Sequence, residues 1–233
     1  MPSVPIASVA VRGSTEAFAV HRIYCVGRNF ADHVKEMGGA VPASPAATDR
    51  APPVFFMKPA DAVVPNDTLI PYPRGTHDLH HEVELVVALG AGSDGVVDAA
   101  NALELVFGYS VGLDLTRRDL QANAKAKGLP WDVAKGFDRS APIAPIVPLA
   151  ECGHPTDAQL SLQVNGKIVQ SAPLTDMLFS VPEVLHELSL LYDLRAGDLV
   201  FMGTPAGVGP LRAGDRYVAT VEGIAELRGG IAD

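Results

Sequence analysis

His80-His81-Glu82-Val83-Glu84-Leu85-Val86-Val87-Ala88-Leu89 and, after a loop, Tyr109-Ser110-Val111-Gly112-Leu113-Asp114-Leu115-Thr116-Arg117-Arg118-Asp119-Leu120-Gln121 decide how this chain is read. The aliphatic run Leu85 to Leu89 has the composition of a buried strand. Side chains alternate across a strand, so Glu82 and Glu84 share one face. Two like charges beside an apolar run repel unless a cation lies between them. The second segment predicts another strand, Tyr109 to Leu115. Its apolar face is Val111, Leu113 and Leu115. Asp114 falls on the other face with Ser110 and Gly112, whose small size is expected to leave room for a ligand. Three carboxylates with no thiol nearby suit a hard divalent cation such as Mg²⁺, Mn²⁺ or Ca²⁺. A Glu-x-Glu pair alone is usually a solvated strand face; Asp114 at a strand end, with Arg118 and Gln121 beyond it, gives the metal reading its weight.

The rest of the chain fits one large domain, or a domain with a small appendage, with core to spare. Of 233 residues, 48% are hydrophobic and 19% charged, an ordinary globular balance. A net charge of −9 argues against a nucleic-acid surface and against a polybasic membrane patch. Cys25 and Cys152 are the only cysteines, which fits a reduced, cytoplasmic setting better than a disulfide scaffold. The first residues lack the charged start of a signal peptide, and no apolar run is long enough to span a bilayer.

Working outward, residues 1–22 read as short strands around a Gly13-Ser14 turn, and Ile23 to Gly27 as a buried strand. Asn29 is placed to cap a short helix, Phe30 to Met37, on which His33 and Glu36 share a face. Residues 38–53, rich in Gly, Ala and Pro, read as a mobile surface loop. Val54 to Lys58 is a strand stopped by Pro59, and short strands with an Asn66-Asp67 turn follow. Val97 to Glu104 predicts a helix. Thr116 and Asp119 have the spacing of a capping box for a helix running to Lys127. Leu160 to Val164 and Lys167 to Gln170 flank Asn165-Gly166, a strong hairpin signal. Ser180-Val181-Pro182-Glu183 opens a helix continuing to Tyr192, and Leu199 to Met202 is a strand. Many short strands with few helices predict a β-dominated α+β fold.

Three further features carry chemistry only in combination. Gly203-Thr204-Pro205-Ala206-Gly207-Val208-Gly209 lacks the Gly-Lys-Ser/Thr of a phosphate loop and the spacing of a dinucleotide fingerprint. It is a tight turn, or a place where the backbone and the Thr204 hydroxyl approach a ligand. His33 with Glu36 has the form of a general base and its orienting carboxylate, although such pairs also occur on ordinary exposed helices. Lys58 and Lys135, taken singly, read as surface lysines.

Together these pieces resemble the fumarylacetoacetate hydrolase family over nearly the whole chain. The resemblance rests on Tyr24 to Phe30 with His33 and Glu36, Phe56-Met57-Lys58-Pro59, His81 to Leu85, Asp114 to Gln121, Gly128-Leu129-Pro130-Trp131 with Lys135, Val164-Asn165-Gly166, and the Gly203 to Gly209 loop. Within the family it is most similar to the acylpyruvate hydrolases and to bacterial fumarylpyruvate hydrolases of gentisate breakdown. The resemblance implies a mixed β-roll of the family's C-terminal-domain type in a homodimer. It implies residues 1–62 as a small N-terminal region carrying a lid helix and residues 63–233 as the catalytic domain. It implies Glu82, Glu84 and Asp114 as ligands of one divalent cation, Mg²⁺ foremost with Mn²⁺ or Ca²⁺ as alternatives. His33, Glu36 and Lys135 take catalytic roles, and Arg28, Arg118, Gln121 and Thr204 bind a dicarboxylate or 2-oxo acid. Phe30, Gly136 and Met202 stand where the family commonly has Tyr, Ser and Thr, which puts substrate preference in question.

The activity implied is hydrolysis of a carbon–carbon bond in a 2,4-dioxo acid, fumarylpyruvate giving fumarate and pyruvate. Oxaloacetate decarboxylation or keto–enol isomerisation is the alternative, and a catalytically silent ligand-binding relative is a third reading. Residues 31–50 are expected to form a lid, ordered by a pyruvate analogue.

Overall fold

The computed structural model describes residues 4–38 and 51–233. The expected loop over 38–53 and the expected lid over 31–50 therefore lie partly outside the described residues. What is described is a β-dominated fold of mixed sheets, as expected.

The central sheet has six strands in the order Val147–Pro148, Val106–Leu113, Val83–Leu89, Leu199–Phe201, Ile23–Gly27 and Val54–Lys58. Leu199–Phe201 runs parallel to Ile23–Gly27, and the other pairings are antiparallel. Strands from before residue 62 thus pair in the same sheet as Val83–Leu89. A five-stranded sheet, Lys167–Pro173, Gln159–Val164, Arg216–Val221, Ala225–Ile231 and Thr68–Ile70, packs against it. In the hairpin Asn165 and Gly166 both take positive φ, 51° and 78°, as their turn requires.

Val83–Leu89 is buried along its whole length because both its faces are covered. Val83, Leu85, Val87 and Leu89 enter the core facing the five-stranded sheet, together with Val111, Leu113 and Leu115. Val86 and Ala88 enter a second core on the opposite side, with Ile23, Cys25, Ile143 and Phe201. Alternation then assigns Glu82 and Glu84 to the second face, at the end where its apolar packing stops.

The small residues expected to make room for a ligand serve packing instead. A Cβ on Gly112 would lie 2.6 Å from the Phe201 ring and 3.0 Å from the Pro142 carbonyl. Ser110 is fully buried and donates to the Ala144 carbonyl at 2.8 Å. The ligand space opens two residues further on, at Asp114.

Helix boundaries differ from expectation in four places. Helix α1 spans Ala31–Glu36 with Phe30 as its first flanking residue. Asn29 does not cap it, because its amide is committed to the core: it donates to the carbonyls of Phe179 and Met202 and accepts from the Phe179 N–H. Helix α2 spans Arg118–Lys127 and has no capping box. Thr116 is buried beside Asp114, and Asp119 instead accepts from the Thr76 hydroxyl at 2.6 Å and the His77 N–H at 3.1 Å. Only Ala102–Leu105 of the expected helix 97–104 is helical, as a 3-10 turn. The Ser180–Glu183 capping box does form, opening the helix Val181–Ser189, which ends three residues before the expected Tyr192. A short helix α3, Asp132–Lys135, carries Lys135 inward.

Candidate active site

The strand register brings the acidic residues together. Glu84 lies opposite Gly112, and beyond the ladder's end the Asp114 N–H donates to the Glu82 carbonyl at 2.8 Å. One carboxylate oxygen from each of Glu82, Glu84 and Asp114 lies within 4.8 Å of the others, and all three residues are buried. Cys25 sits in the core beneath them. Burial, and next the charge of Asp114, push its thiol well up, so it stays protonated and outside the oxygen set.

Two lysines that read as surface residues are buried here. Lys135 Nζ donates to Glu82 Oε2 at 2.6 Å, to Asp114 Oδ2 at 2.6 Å and to Thr116 Oγ1 at 2.7 Å. Lys58 Nζ donates to the carbonyls of Leu115 and Lys135, which ties α3 to the segment that follows strand Val106–Leu113. It also stands 2.8 Å from Asp114 Oδ1, but at an angle that makes no hydrogen bond. That buried oxygen therefore has no aligned donor. Arg118, at the start of α2, donates to Glu82 and, at 2.5 Å, to Gln121 Oε1. Its Nε points at His80 Nδ1, 3.3 Å away, while His80 Nε2 faces Asp78 at 2.9 Å. This chain fixes the guanidinium from behind.

The charges do not balance evenly. Burial alone would raise the Glu82 carboxyl, but Lys135 and Arg118 outweigh it and hold it below the ordinary range. Lys135 is likewise opposed by burial, yet Asp114 and Glu82 keep its ammonium more basic than usual. Glu84 has no basic partner among the described residues and accepts one hydrogen bond, from the Gly203 N–H at 2.7 Å. Burial, then the charges of Asp114 and Glu82, push it well up. Three clustered buried carboxylates, one of them short of positive charge, fit a divalent cation, and their all-oxygen donors suit Mg²⁺, Mn²⁺ or Ca²⁺.

Helix α1 covers this floor. His33 is 8% exposed and lines the same cavity as the three carboxylates. Its Nδ1 is 3.3 Å from Glu36 Oε2, and Glu36 Oε1 accepts from the Gly207 N–H at 3.0 Å. A neutral imidazole that donates from Nδ1 leaves Nε2 free to take a proton. The Gly203–Gly209 loop thus touches Glu84 at one end and Glu36 at the other. Gln170, 1% exposed, holds the loop in place. Its Oε1 accepts from the Val83 N–H and His81 Nδ1, and its Nε2 donates to Thr204 Oγ1 and the Pro205 carbonyl. Neither Gln170 nor Lys58 stands out in the sequence, since their partners are distant along the chain.

The cavity has a volume of about 110 Å³. Arg28, Arg118, Gln121, Lys135 and Thr204 line it together with His33 and the three carboxylates, whereas Glu36 lies outside the lining and meets it through His33. Phe56, Trp131 and Lys125 complete its mouth. Arg28 holds φ of 63°, a left-handed conformation uncommon for a non-glycine residue and worth on the order of 1 kcal/mol of strain. The locked Asn29 that follows it makes this conformation persist. Phe30, Gly136 and Met202 are absent from the lining; Phe30 and Met202 are buried in the apolar core, and a Cβ on Gly136 would crowd the Asp132 carbonyl.

Residues 22–232 match the family model for the C-terminal domain of fumarylacetoacetate (FAA) hydrolase. The fold is similar to the crystal structure of fumarylpyruvate hydrolase from Pseudomonas aeruginosa in complex with Mn²⁺ and pyruvate. The TM-score is 0.93 and the identity 43%, over 100% of this chain and 98% of that one. Among curated proteins, the mitochondrial oxaloacetate tautomerase FAHD1 of Bos taurus is 40% identical over 206 residues, 88% of this chain and 89% of that protein. The Arabidopsis thaliana protein of the same name is 41% identical over 207 residues, 89% of each.

Proposed function

Because this chain belongs to the fumarylacetoacetate hydrolase family, we propose that it is a divalent-cation-dependent hydrolase of 2,4-dioxo acids, with fumarylpyruvate, cleaved to fumarate and pyruvate, as its substrate. The observation that carries this reading is one cavity lined by three buried carboxylates and by His33, whose Nδ1 faces Glu36. The similarity to fumarylpyruvate hydrolase over the full chain supports the choice of substrate.

Glu82, Glu84 and Asp114 would hold the cation, Mg²⁺ in our reading, which when bound would draw negative charge from the 2-oxo acid end of the substrate. Arg118 and Gln121 orient that end by charge-assisted and amide hydrogen bonds. His33 Nε2 takes a proton from water, and the hydroxide oxygen bonds to C4. The C3–C4 bond then breaks, its electron pair passing to C3 and giving the enolate of pyruvate, which takes up a proton there. The Lys135 ammonium, fixed between Glu82 and Asp114, offsets the negative charge that develops beside it. Glu36 keeps the imidazole in the tautomer that this sequence needs.

A second reading is oxaloacetate keto–enol tautomerisation, which the curated relatives favour. It moves a proton at C3 with no water attack, and the same His33 serves. A substrate panel separates the two. Purified protein with Mg²⁺ is expected to consume the ultraviolet absorbance of fumarylpyruvate and to release pyruvate and fumarate in equal amounts. Loss of enol-oxaloacetate absorbance without turnover of any acylpyruvate would replace the first reading with the second.

A further inference from the structure

We propose that Lys125 and Arg28 form a second-carboxylate subsite at the mouth of the cavity, so that the site selects 2-oxo diacids over 2-oxo monoacids of equal length. The inference rests on the reading that the cavity floor takes the 2-oxo acid end of the ligand. Lys125 lies in the last turn of α2, one helical turn beyond Gln121, and both line the cavity. The helix therefore carries Arg118, Gln121 and Lys125 as a ladder from the floor to the mouth.

Lys125 is placed by contact as well as by spacing. Its Nζ lies 5.2 Å from the centroid of the Trp131 ring, and Trp131 in turn packs on Phe56 with ring centroids 5.9 Å apart. The ammonium is thus held over an aromatic wall that lines the cavity. It has no salt-bridge partner among the described residues. Partial burial, and the nearby charges of Arg118, Arg28 and Lys135, make it less basic than an ordinary lysine, with only Glu82 opposing. Several cations face one small cavity, and the acids that line it among the described residues, Glu82, Glu84 and Asp114, lie at its floor. That field is complementary to a ligand with a second negative charge at its far end.

Arg28 supplies an independent observation. Its left-handed backbone would suit glycine better, and a residue kept in such a conformation at a site points to use of its side chain. It lines the mouth, close enough for its charge to be felt by Lys125. An extended diacid bound at the floor reaches the pair with its distal carboxylate.

The test is calorimetry on the Mg²⁺-loaded protein with 2-oxoadipate and 2-oxohexanoate, which match in length and differ in the terminal carboxylate. The wild-type protein is expected to bind the diacid about tenfold more tightly, the scale of one charge-assisted hydrogen bond. Lys125→Met and Arg28→Met should each bring that ratio toward one, whereas Lys127→Met, outside the cavity on the same helix, should keep it. Equal wild-type affinity for both acids, or a preference that survives Lys125→Met, overturns the subsite and leaves the floor reading standing. Failure of both acids to bind overturns the subsite and the floor reading together.

Discussion

Glu84 separates a metal site from a structural ion cluster. Glu82 and Asp114 already have cationic partners; Glu84 has a single backbone N–H. Glu84→Gln keeps the shape and removes a ligand charge. It is expected to abolish tight cation binding and most hydrolysis while leaving the metal-free protein folded, as judged by calorimetry and circular dichroism. Asp114→Asn should do the same at greater cost in stability, because it leaves Lys58 and Lys135 without their shared carboxylate. His33→Ala should retain the cation and lose hydrolysis by about 10²–10⁴-fold, the range for a general base. Burial lowers the His33 imidazole, and Glu82 and Glu36 only partly counter it. A lowered value means that the neutral, base-competent ring persists to more acidic pH. The acidic limb of kcat/KM should therefore fall below the ordinary imidazole value of about 6.5, and Glu36→Gln should move it further toward acid. A limb above that value would remove His33 from the role. The carboxylates and the histidine were legible because acidic pairs at strand spacing and His-x-x-Glu on a helix are local patterns. The two lysines were not: Lys58 and Lys135 are buried by partners on other elements, and nothing beside them in the sequence marks a buried cation.

At the scale of elements, the strands and the Ser180–Glu183 helix start were legible, and the caps at Asn29 and Thr116 were not. The aliphatic runs and the Asn165-Gly166 turn specify strands through local patterns. Asn29 and Thr116 also occupy plausible capping positions, yet tertiary partners claim both side chains. Gln170 shows the same rule from the other side. A glutamine in an alternating strand carries no signal, but here it joins the five-stranded sheet to the Glu82 strand and to the Thr204 loop. Gln170→Leu strands the Val83 N–H and frees Thr204. It should cost about 1–3 kcal/mol of stability and raise KM more than it lowers kcat, because it loosens a loop that shapes the cavity. An unchanged KM would make Gln170 purely structural. Helix α1 meets the rest of the site through Glu36 and the Gly207 N–H. Hydrogen exchange should show the amides of Ala31–Glu36 better protected with oxalate and Mg²⁺ than without; equal protection would count against α1 as a lid.

For the whole molecule, a cation that binds only the folded chain must stabilise it. Saturation at a hundred times the dissociation constant adds about 2.7 kcal/mol, so the melting temperature should rise with Mg²⁺ or Mn²⁺ in wild type and stay flat in Glu84→Gln. We also propose that the chain is a homodimer, which light scattering would read as twice the 24.4 kDa chain mass. Among the described residues no helix is long and apolar enough to cross a membrane. The most direct test of the account is pyruvate release from fumarylpyruvate by protein stripped with a chelator and then titrated with Mg²⁺ or Mn²⁺. The account predicts negligible cleavage in the stripped protein and saturable recovery at one cation per chain, with fumarate and pyruvate in equal amounts. Full cleavage by the stripped protein would contradict it.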